Sequence, residues 1–178
     1  MSPAIKHLLE SCADSIEEND FRTIYQLLNY RYALSAKLPE LAKELSDIFK
    51  AADINPLDYL DYVPATYAIG DLDLKEIILP SNIKTIDKYA FSSCENLKKI
   101  NLDNITLIGF RAFYNCYSLT TVKFADDVNI SREAFLGCRS LEEIYLPNKF
   151  SIGDYAFQEC PLNTVYYDGT PQEWYDKH

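Results

Sequence analysis

A short motif, alanine-phenylalanine followed after two residues by cysteine, recurs four times in the second half of this sequence. Successive copies are 22 residues apart, at Ala90-Phe91-Cys94, Ala112-Phe113-Cys116, Ala134-Phe135-Cys138 and Ala156-Phe157-Cys160. A fixed period near twenty residues is typical of repeat architectures, in which each unit stacks on its neighbour to bury a shared core. The spacing therefore predicts a solenoid with these residues aligned inside it.

Each copy of the motif is preceded by an apolar strand and by an isoleucine four residues before the alanine. Side chains two apart along a strand face the same way, so Ile77 and Leu79 should point inward while Glu76 and Ile78 point outward. Applied to every copy, this alternation predicts two outward rows across a parallel sheet. The first row holds Glu76, Lys99, Thr121, Glu143 and Thr164, and the second holds Ile78, Asn101, Lys123, Tyr145 and Tyr166.

The full pattern of residues 74–94, L-x-x-I-x-L-P-x-x-I-x-x-I-x-x-x-A-F-x-x-C, resembles the BspA-type leucine-rich repeats. Residues 165–174 resemble the Y-x-G-T-x-x-x-W closure of such arrays, and residues 68–72 form a fainter copy before the first. The resemblance implies a fold of the α+β class, a right-handed leucine-rich-repeat solenoid of about five coils of about 22 residues. It also implies a role in adhesion or protein recognition.

Residues 1–65 show a different period. Apolar residues recur there at steps of three and four, in segments separated by short polar breaks, which predicts amphipathic helices packed against one another. Because the open end of a solenoid exposes its apolar layer, we expect these helices to form an N-terminal cap. The alternative is a helical module with its own partner. The predicted domains are thus a helical segment over 1–65 and the solenoid over 66–178, which ends in a closing turn.

The residues that carry chemistry do not converge on a catalytic, metal or cofactor site. The two histidines, His7 and His178, are at opposite ends of the chain, so they do not form a nucleophile and base pair. The chain has no C-x-x-C pair for zinc, and its five glycines are too scattered to form a phosphate-binding loop. Four of the five cysteines share one repeat position and Cys12 lies on the apolar side of a predicted helix, so we expect buried free thiols. We predict no enzyme activity, no metal and no cofactor.

The charge of the chain restricts its partners. Lysine and arginine number 17 and aspartate and glutamate 27, which gives a net charge of −10, and neither half of the chain is basic. This balance disfavours direct binding to nucleic acid or anionic lipid and favours a basic protein partner. The alternative is that the negative charge serves only to keep the protein soluble. The sequence has neither a signal-peptide pattern nor a membrane-length apolar run of roughly 18 residues, so we expect a cytoplasmic location.

The second outward row carries the functional prediction. It holds large apolar or amphipathic side chains, whereas a sheet face that contacts only solvent would carry smaller or charged residues. Tyrosine is enriched at protein interfaces. The predicted protein-binding residues are Glu76, Ile78, Asn101, Lys123, Glu143, Tyr145 and Tyr166. We predict a non-catalytic module that binds a protein through this nearly flat face or through the helical cap. Two alternatives are an adhesin-like fragment and a small acidic decoy, of the kind that phages carry, which occupies the nucleic-acid channel of a host defence enzyme. The oligomeric state is not indicated.

Overall fold

The structure is a computed structural model that describes residue 57, residues 61–63 and residues 74–177. In these residues the chain winds into a parallel β-solenoid of ten short strands followed by one helix. The strands are β1 Tyr62–Val63, β2 Glu76–Ile77, β3 Thr85–Ile86, β4 Lys99–Ile100, β5 Leu107–Ile108, β6 Thr121–Lys123, β7 Val128–Ile130, β8 Glu143–Leu146, β9 Phe150–Ile152 and β10 Thr164–Tyr167, and the helix is α1 Pro171–Lys177.

Two rows of parallel strands enclose the core because each turn of the chain adds one strand to each row. The odd-numbered strands form a five-stranded sheet in the order β1-β3-β5-β7-β9. The even-numbered strands form the second row, in which β2 pairs with β4, β6 pairs with β8, and β8 pairs with β10. A single bridge between Leu102 and Phe124 joins the two parts of that row. The register confirms the two predicted outward rows, since Tyr166 lies opposite Tyr145 and Tyr145 lies opposite Lys123.

The alanine-phenylalanine-cysteine motif forms the third side of each turn. The phenylalanine amide donates to the carbonyl of the next motif alanine at 2.8 Å in each case, from Phe91 to Ala112, from Phe113 to Ala134 and from Phe135 to Ala156. The rings stack with nearly parallel planes, and the centroids of Phe91 and Phe113 are 5.2 Å apart, those of Phe113 and Phe135 4.8 Å, and those of Phe135 and Phe157 5.3 Å. The predicted alignment of the motif is therefore confirmed.

The motif thiols form a second ladder beside the phenylalanine stack. Three of them donate to the backbone carbonyl of the phenylalanine one turn earlier, from Cys116 to Phe91 at 3.1 Å, from Cys138 to Phe113 at 3.1 Å and from Cys160 to Phe135 at 3.2 Å. All four motif cysteines are free thiols, and three of them are buried, as predicted; Cys160, in the last motif turn, is half-buried instead. Contact with the Cys116 thiol is the largest cause that raises the pKa of Cys138, and contact with Cys138 likewise raises that of Cys160. Cys12 lies outside the described residues.

Two residues in each motif turn have left-handed backbone conformations. One of them precedes the motif alanine, with φ values of 60° at Tyr89, 52° at Arg111, 58° at Glu133 and 58° at Tyr155. The other precedes the motif cysteine, with φ values of 62° at Ser93, 58° at Asn115, 78° at Gly137 and 62° at Glu159. An L-residue other than glycine loses roughly 1–2 kcal/mol in this region. The turn is therefore held by its bonds to neighbouring turns rather than by local preference. Asp127, directly before β7, is left-handed as well, at φ 60°.

The number of turns differs slightly from the prediction of about five. The strands β2 to β9 with their motif turns make four complete turns. β1 precedes the first of them, the faint copy over residues 68–72 lies outside the described residues, and β10 leads into α1 instead of a further motif. The predicted helical cap over residues 1–65 lies outside the described residues, apart from Leu57 and residues 61–63. Leu57 is buried in the core, and the strand β1 in residues 61–63 pairs with β3 of the solenoid sheet.

The C-terminal helix α1 begins with a capping box and packs against the last turn. Thr170 and Glu173 form a capping box, in which the Glu173 carboxylate accepts from the Thr170 amide at 2.7 Å and the Glu173 amide donates to the Thr170 hydroxyl at 3.2 Å. Pro171 stands at the first helical position, where its fixed φ suits the helix. Trp174 packs edge-on against Tyr167, with ring centroids 5.2 Å apart. The sequence ending that resembled a closure thus covers part of the last turn.

Replacement of Phe113 by alanine should unfold or strongly destabilise the array. Its ring is fully buried between two stacked rings, so the loss of packing and the cavity should cost about 3 to 5 kcal/mol. Chemical denaturation measures the free energy of unfolding. Phe157→Ala is the matched control, because that ring is half-buried and stacks within the motif ladder on one side; we expect a smaller loss. Equal effects of the two substitutions would contradict the stacked ladder.

Replacement of Gly137 by alanine should lower the free energy of unfolding by about 1–2 kcal/mol, since its φ of 78° is costly for an L-residue. A Cβ there would also meet Asn115 Oδ1 at 2.3 Å, and that amide would have to move. Ser93→Ala is the control, because Ser93 occupies the equivalent position with a side chain already present, and its melting temperature should stay close to the unsubstituted value. A destabilisation as large in Ser93→Ala would contradict this account.

Candidate protein interface

The outward face of the even-numbered strands holds the seven residues predicted to bind protein. Glu76 and Lys123 are exposed, Asn101, Glu143 and Tyr145 are half-buried, and Ile78 and Tyr166 have 76% and 44% of their surface exposed. Their order across the sheet follows the strand register, from β2 through β4, β6 and β8 to β10. The register thus places them on one surface, which we call the outer sheet face.

Tyr145 and Tyr166 form the aromatic centre of the outer sheet face. Pairing of β8 with β10 sets them side by side, and their rings stack with centroids 4.2 Å apart and planes 11° from parallel. Desolvation is the largest cause that raises the pKa of the Tyr145 phenol, and interactions with the neighbouring Tyr166 and Glu143 raise it further. The stack therefore offers a neutral surface of two rings with hydroxyl tips, which combines apolar contact area with hydrogen-bonding capacity.

Asn101 lies on the outer sheet face, but its amide is used within the fold. Its Oδ1 accepts from the Leu79 backbone amide at 2.6 Å, and its Nδ2 donates to the Leu79 carbonyl at 3.1 Å. The side chain thus replaces a backbone strand partner next to the short pair β2 and β4. Among the seven residues, Asn101 is the one whose polar group is already committed to the solenoid.

A groove of about 600 Å³ runs beside the tyrosine stack, where the strands of the second row end. Its floor includes the buried Phe124, Leu146 and Pro147. Its charged lining consists of Asp103, Lys123, Asp126 and Asp168. The short array predicted a nearly flat face, and the repeat pattern does not indicate this groove. One feature of the sequence could have indicated the groove. In three of the strands, an aspartate follows the last inward-facing residue by one or two positions.

The motif turns form a different surface, on which arginines lie over aromatic rings. The Arg111 guanidinium is 5.0 Å from the Tyr114 ring centroid and 5.1 Å from that of Phe110. Arg132 is 5.9 Å from the Tyr155 centroid, and Arg139 is 5.4 Å from the Tyr117 centroid. All three arginines of the repeat region are therefore engaged with the chain's own rings.

Glu133 anchors this arginine surface and is the buried charged residue of the described chain. It is 5% exposed, and its two carboxylate oxygens bind Arg111 Nε at 2.6 Å and an Arg132 nitrogen at 2.8 Å. The hydrogen bond from Arg111 is the largest cause that lowers the pKa of Glu133. The repeat pattern does not predict burial of this carboxylate, because the position before the motif alanine is polar in some copies and aromatic in others.

Clusters of metal-ligand residues and long apolar helices were sought in the part of the chain that the structure describes. No cluster of three or more histidine, cysteine, aspartate or glutamate side chains there has a metal-binding arrangement. Over the same residues, no helix is both long enough and apolar enough to cross a membrane.

Comparisons with known proteins agree with the solenoid. A family model described as a BspA type leucine rich repeat region matches residues 65–177, in six copies. The solved structure of a leucine-rich cell surface protein from Faecalibacterium prausnitzii is 30% identical in sequence and superposes with a TM-score of 0.54. That match covers 57% of this chain and 28% of the other, so this chain spans little more than a quarter of that relative. No curated protein matches the chain.

The Glu133 cluster should make the solenoid sensitive to acid. Because its pKa in the folded state is lowered, Glu133 contributes stability above its usual pKa of 4.5, and this contribution is lost as the pH falls further. Glu133→Gln should therefore lower the melting temperature at pH 7, and the difference from the unsubstituted chain should shrink as the pH falls towards 3. Thermal unfolding monitored by circular dichroism across this pH range measures both.

Glu159→Gln is the control for the acid effect. Its ion pair with Arg139 is 3.3 Å long and exposed, so its contribution to stability should be small at every pH. Equal melting temperatures of Glu133→Gln and the unsubstituted chain at pH 7 would contradict the assigned role of the buried carboxylate.

Proposed function

Because the chain belongs to the BspA-type leucine-rich repeat family, we propose that it works as a module that binds another protein through the outer sheet face. Repeat families of this kind are typically non-enzymatic and generally bind proteins on extended surfaces of the stacked units. The prediction that this chain is not an enzyme is part of the proposal. Its partner and the residues that contact it are proposals as well.

The observation that carries the proposal is the tyrosine stack on the outer sheet face. Tyr145 and Tyr166 are held by the four-residue strands β8 and β10, which are twice as long as β2 and β4. Longer pairing fixes the two rings in position before any partner binds. Pre-ordered aromatic side chains make strong interface anchors, because little side-chain entropy is lost when they are covered.

An adhesin-like role is the second candidate, and the solved relative favours it. That relative is described as a leucine-rich cell surface protein. A surface location would replace the cytoplasmic location expected from composition, which stays a prediction. The mode of binding would be the same, since an adhesin-like fragment also presents its repeat surface to another molecule.

The other predicted roles have less support from the described residues. The acidic decoy of a nucleic-acid channel depends on the net charge of −10 alone and stays a prediction. Binding through the helical segment over residues 1–65 concerns a part of the chain that lies almost wholly outside the described residues. The outer sheet face is therefore the site that we propose to test first.

Combined replacement of Tyr145 and Tyr166 by alanine should abolish partner binding and leave the fold intact. Both rings are partly solvent-exposed, so we expect a change in the free energy of unfolding of less than about 1 kcal/mol. The measurement is capture from a lysate of the source organism with tagged full chain, quantified by mass spectrometry, followed by affinity measurement with each captured protein.

Tyr114→Ala with Tyr117→Ala is the matched control, because it removes two half-buried tyrosines from the arginine surface instead. A partner of the outer sheet face should bind the control pair as it binds the unsubstituted chain. Undiminished binding to the Tyr145 and Tyr166 variant would contradict the proposal and favour residues 1–65. Binding that the Tyr145 and Tyr166 substitutions leave unchanged and that is lost at about 0.5 M salt would favour the acidic decoy instead.

A further inference from the structure

We infer that the groove beside the tyrosine stack receives an arginine or lysine side chain from an extended basic segment of the partner protein. This inference rests on the proposed function, because it assigns a ligand chemistry to the same outer sheet face. The groove lies against Tyr145 and Tyr166, which both contribute to its lining. An arm of the partner that covers the stack would therefore also reach the groove.

The shape of the groove suits a long side chain with an apolar stem. Its floor of Phe124, Leu146 and Pro147 is buried and apolar, and its aromatic wall is formed by the two stacked rings. Arginine and lysine carry three or four methylenes that pack on such surfaces while the charged end stays near water. A short acidic or small polar side chain would leave the floor uncovered.

The charge of the groove selects a cation. Three carboxylates, those of Asp103, Asp126 and Asp168, line it against the single ammonium group of Lys123. These four side chains are exposed, and none of them forms an ion pair with another described residue. Their charges are therefore available to a partner, and their excess of negative charge attracts a basic segment and repels phosphate groups.

The same chain shows how a guanidinium would lie against the tyrosine stack. Arg111 and Arg139 each lie over a tyrosine ring on the arginine surface, at 5.0 and 5.4 Å from the centroid. Arginine packs on tyrosine faces in this way because the ring carries negative charge density on its face. In the groove, the exposed side of the tyrosine wall and the carboxylates would provide the same two contacts.

The test is selection of random twelve-residue peptides against the full chain at low salt, followed by affinity measurement on synthetic peptides. Peptides that bind the groove should share an arginine or lysine at one position. Replacement of that arginine by citrulline, which is neutral and nearly the same shape, should weaken binding about twofold to fivefold, as expected for exposed charge pairs. Asp126→Asn with Asp168→Asn should weaken the arginine peptide by a similar factor and leave the citrulline peptide unchanged.

Glu95→Gln with Asp154→Asn is the matched control, since it removes two exposed carboxylates outside the groove. It should leave the arginine peptide bound as tightly as before. A selection that returns no shared cationic position, or equal affinity of the citrulline peptide, would overturn the inference. If such peptides nevertheless lose binding in Tyr145→Ala with Tyr166→Ala, the proposed function stands. Binding that survives the tyrosine substitutions would overturn both.

Discussion

The solenoid depends on contacts between residues that are one turn apart. The phenylalanine amides bond to the next turn, the thiols bond to the previous turn, and the phenylalanine rings stack along the same axis. These contacts also hold two left-handed residues in every motif turn, which local preference would not select. Each turn is thus stabilised by its neighbours, and the last turn is the least covered, with Ile152 and Val165 both at least 40% exposed.

This arrangement separates the residues that build the fold from those that face outward. The core is filled by residues at fixed repeat positions, so side chains on the outward rows vary from turn to turn without changing the register. The variation is not uniform along the array. The outer sheet face begins with the two-residue strands β2 and β4 and ends with the four-residue strands β8 and β10, which carry the tyrosine stack. The longest strand pairing of this row, that of β8 with β10, therefore supports the two large aromatic side chains of the outer sheet face.

The sequence predicted the features that recur at fixed repeat positions. It did not predict the features that depend on the loops between strands or on contacts between turns. Alternation along the strands was sufficient to place Tyr145 beside Tyr166, and the constant cysteine position was sufficient to predict free thiols. The buried Glu133 was missed because burial there depends on two arginines, Arg111 and Arg132, one of them in the preceding turn. The groove was missed because its carboxylates stand in loops, where the spacing between strands drifts and the pattern no longer fixes which side chains meet.

The charged residues of the described chain differ in whether they have ionic or aromatic partners within the chain. The arginines of the repeat region are used within the chain, where they lie over rings or bind Glu133 and Glu159. The carboxylates around the groove have no such ionic partner among the described residues. The groove beside the outer sheet face thus keeps three uncompensated carboxylates against one lysine, whereas the arginines of the motif turns are engaged by the chain's own rings and carboxylates. This excess of negative charge beside the tyrosine stack attracts basic groups.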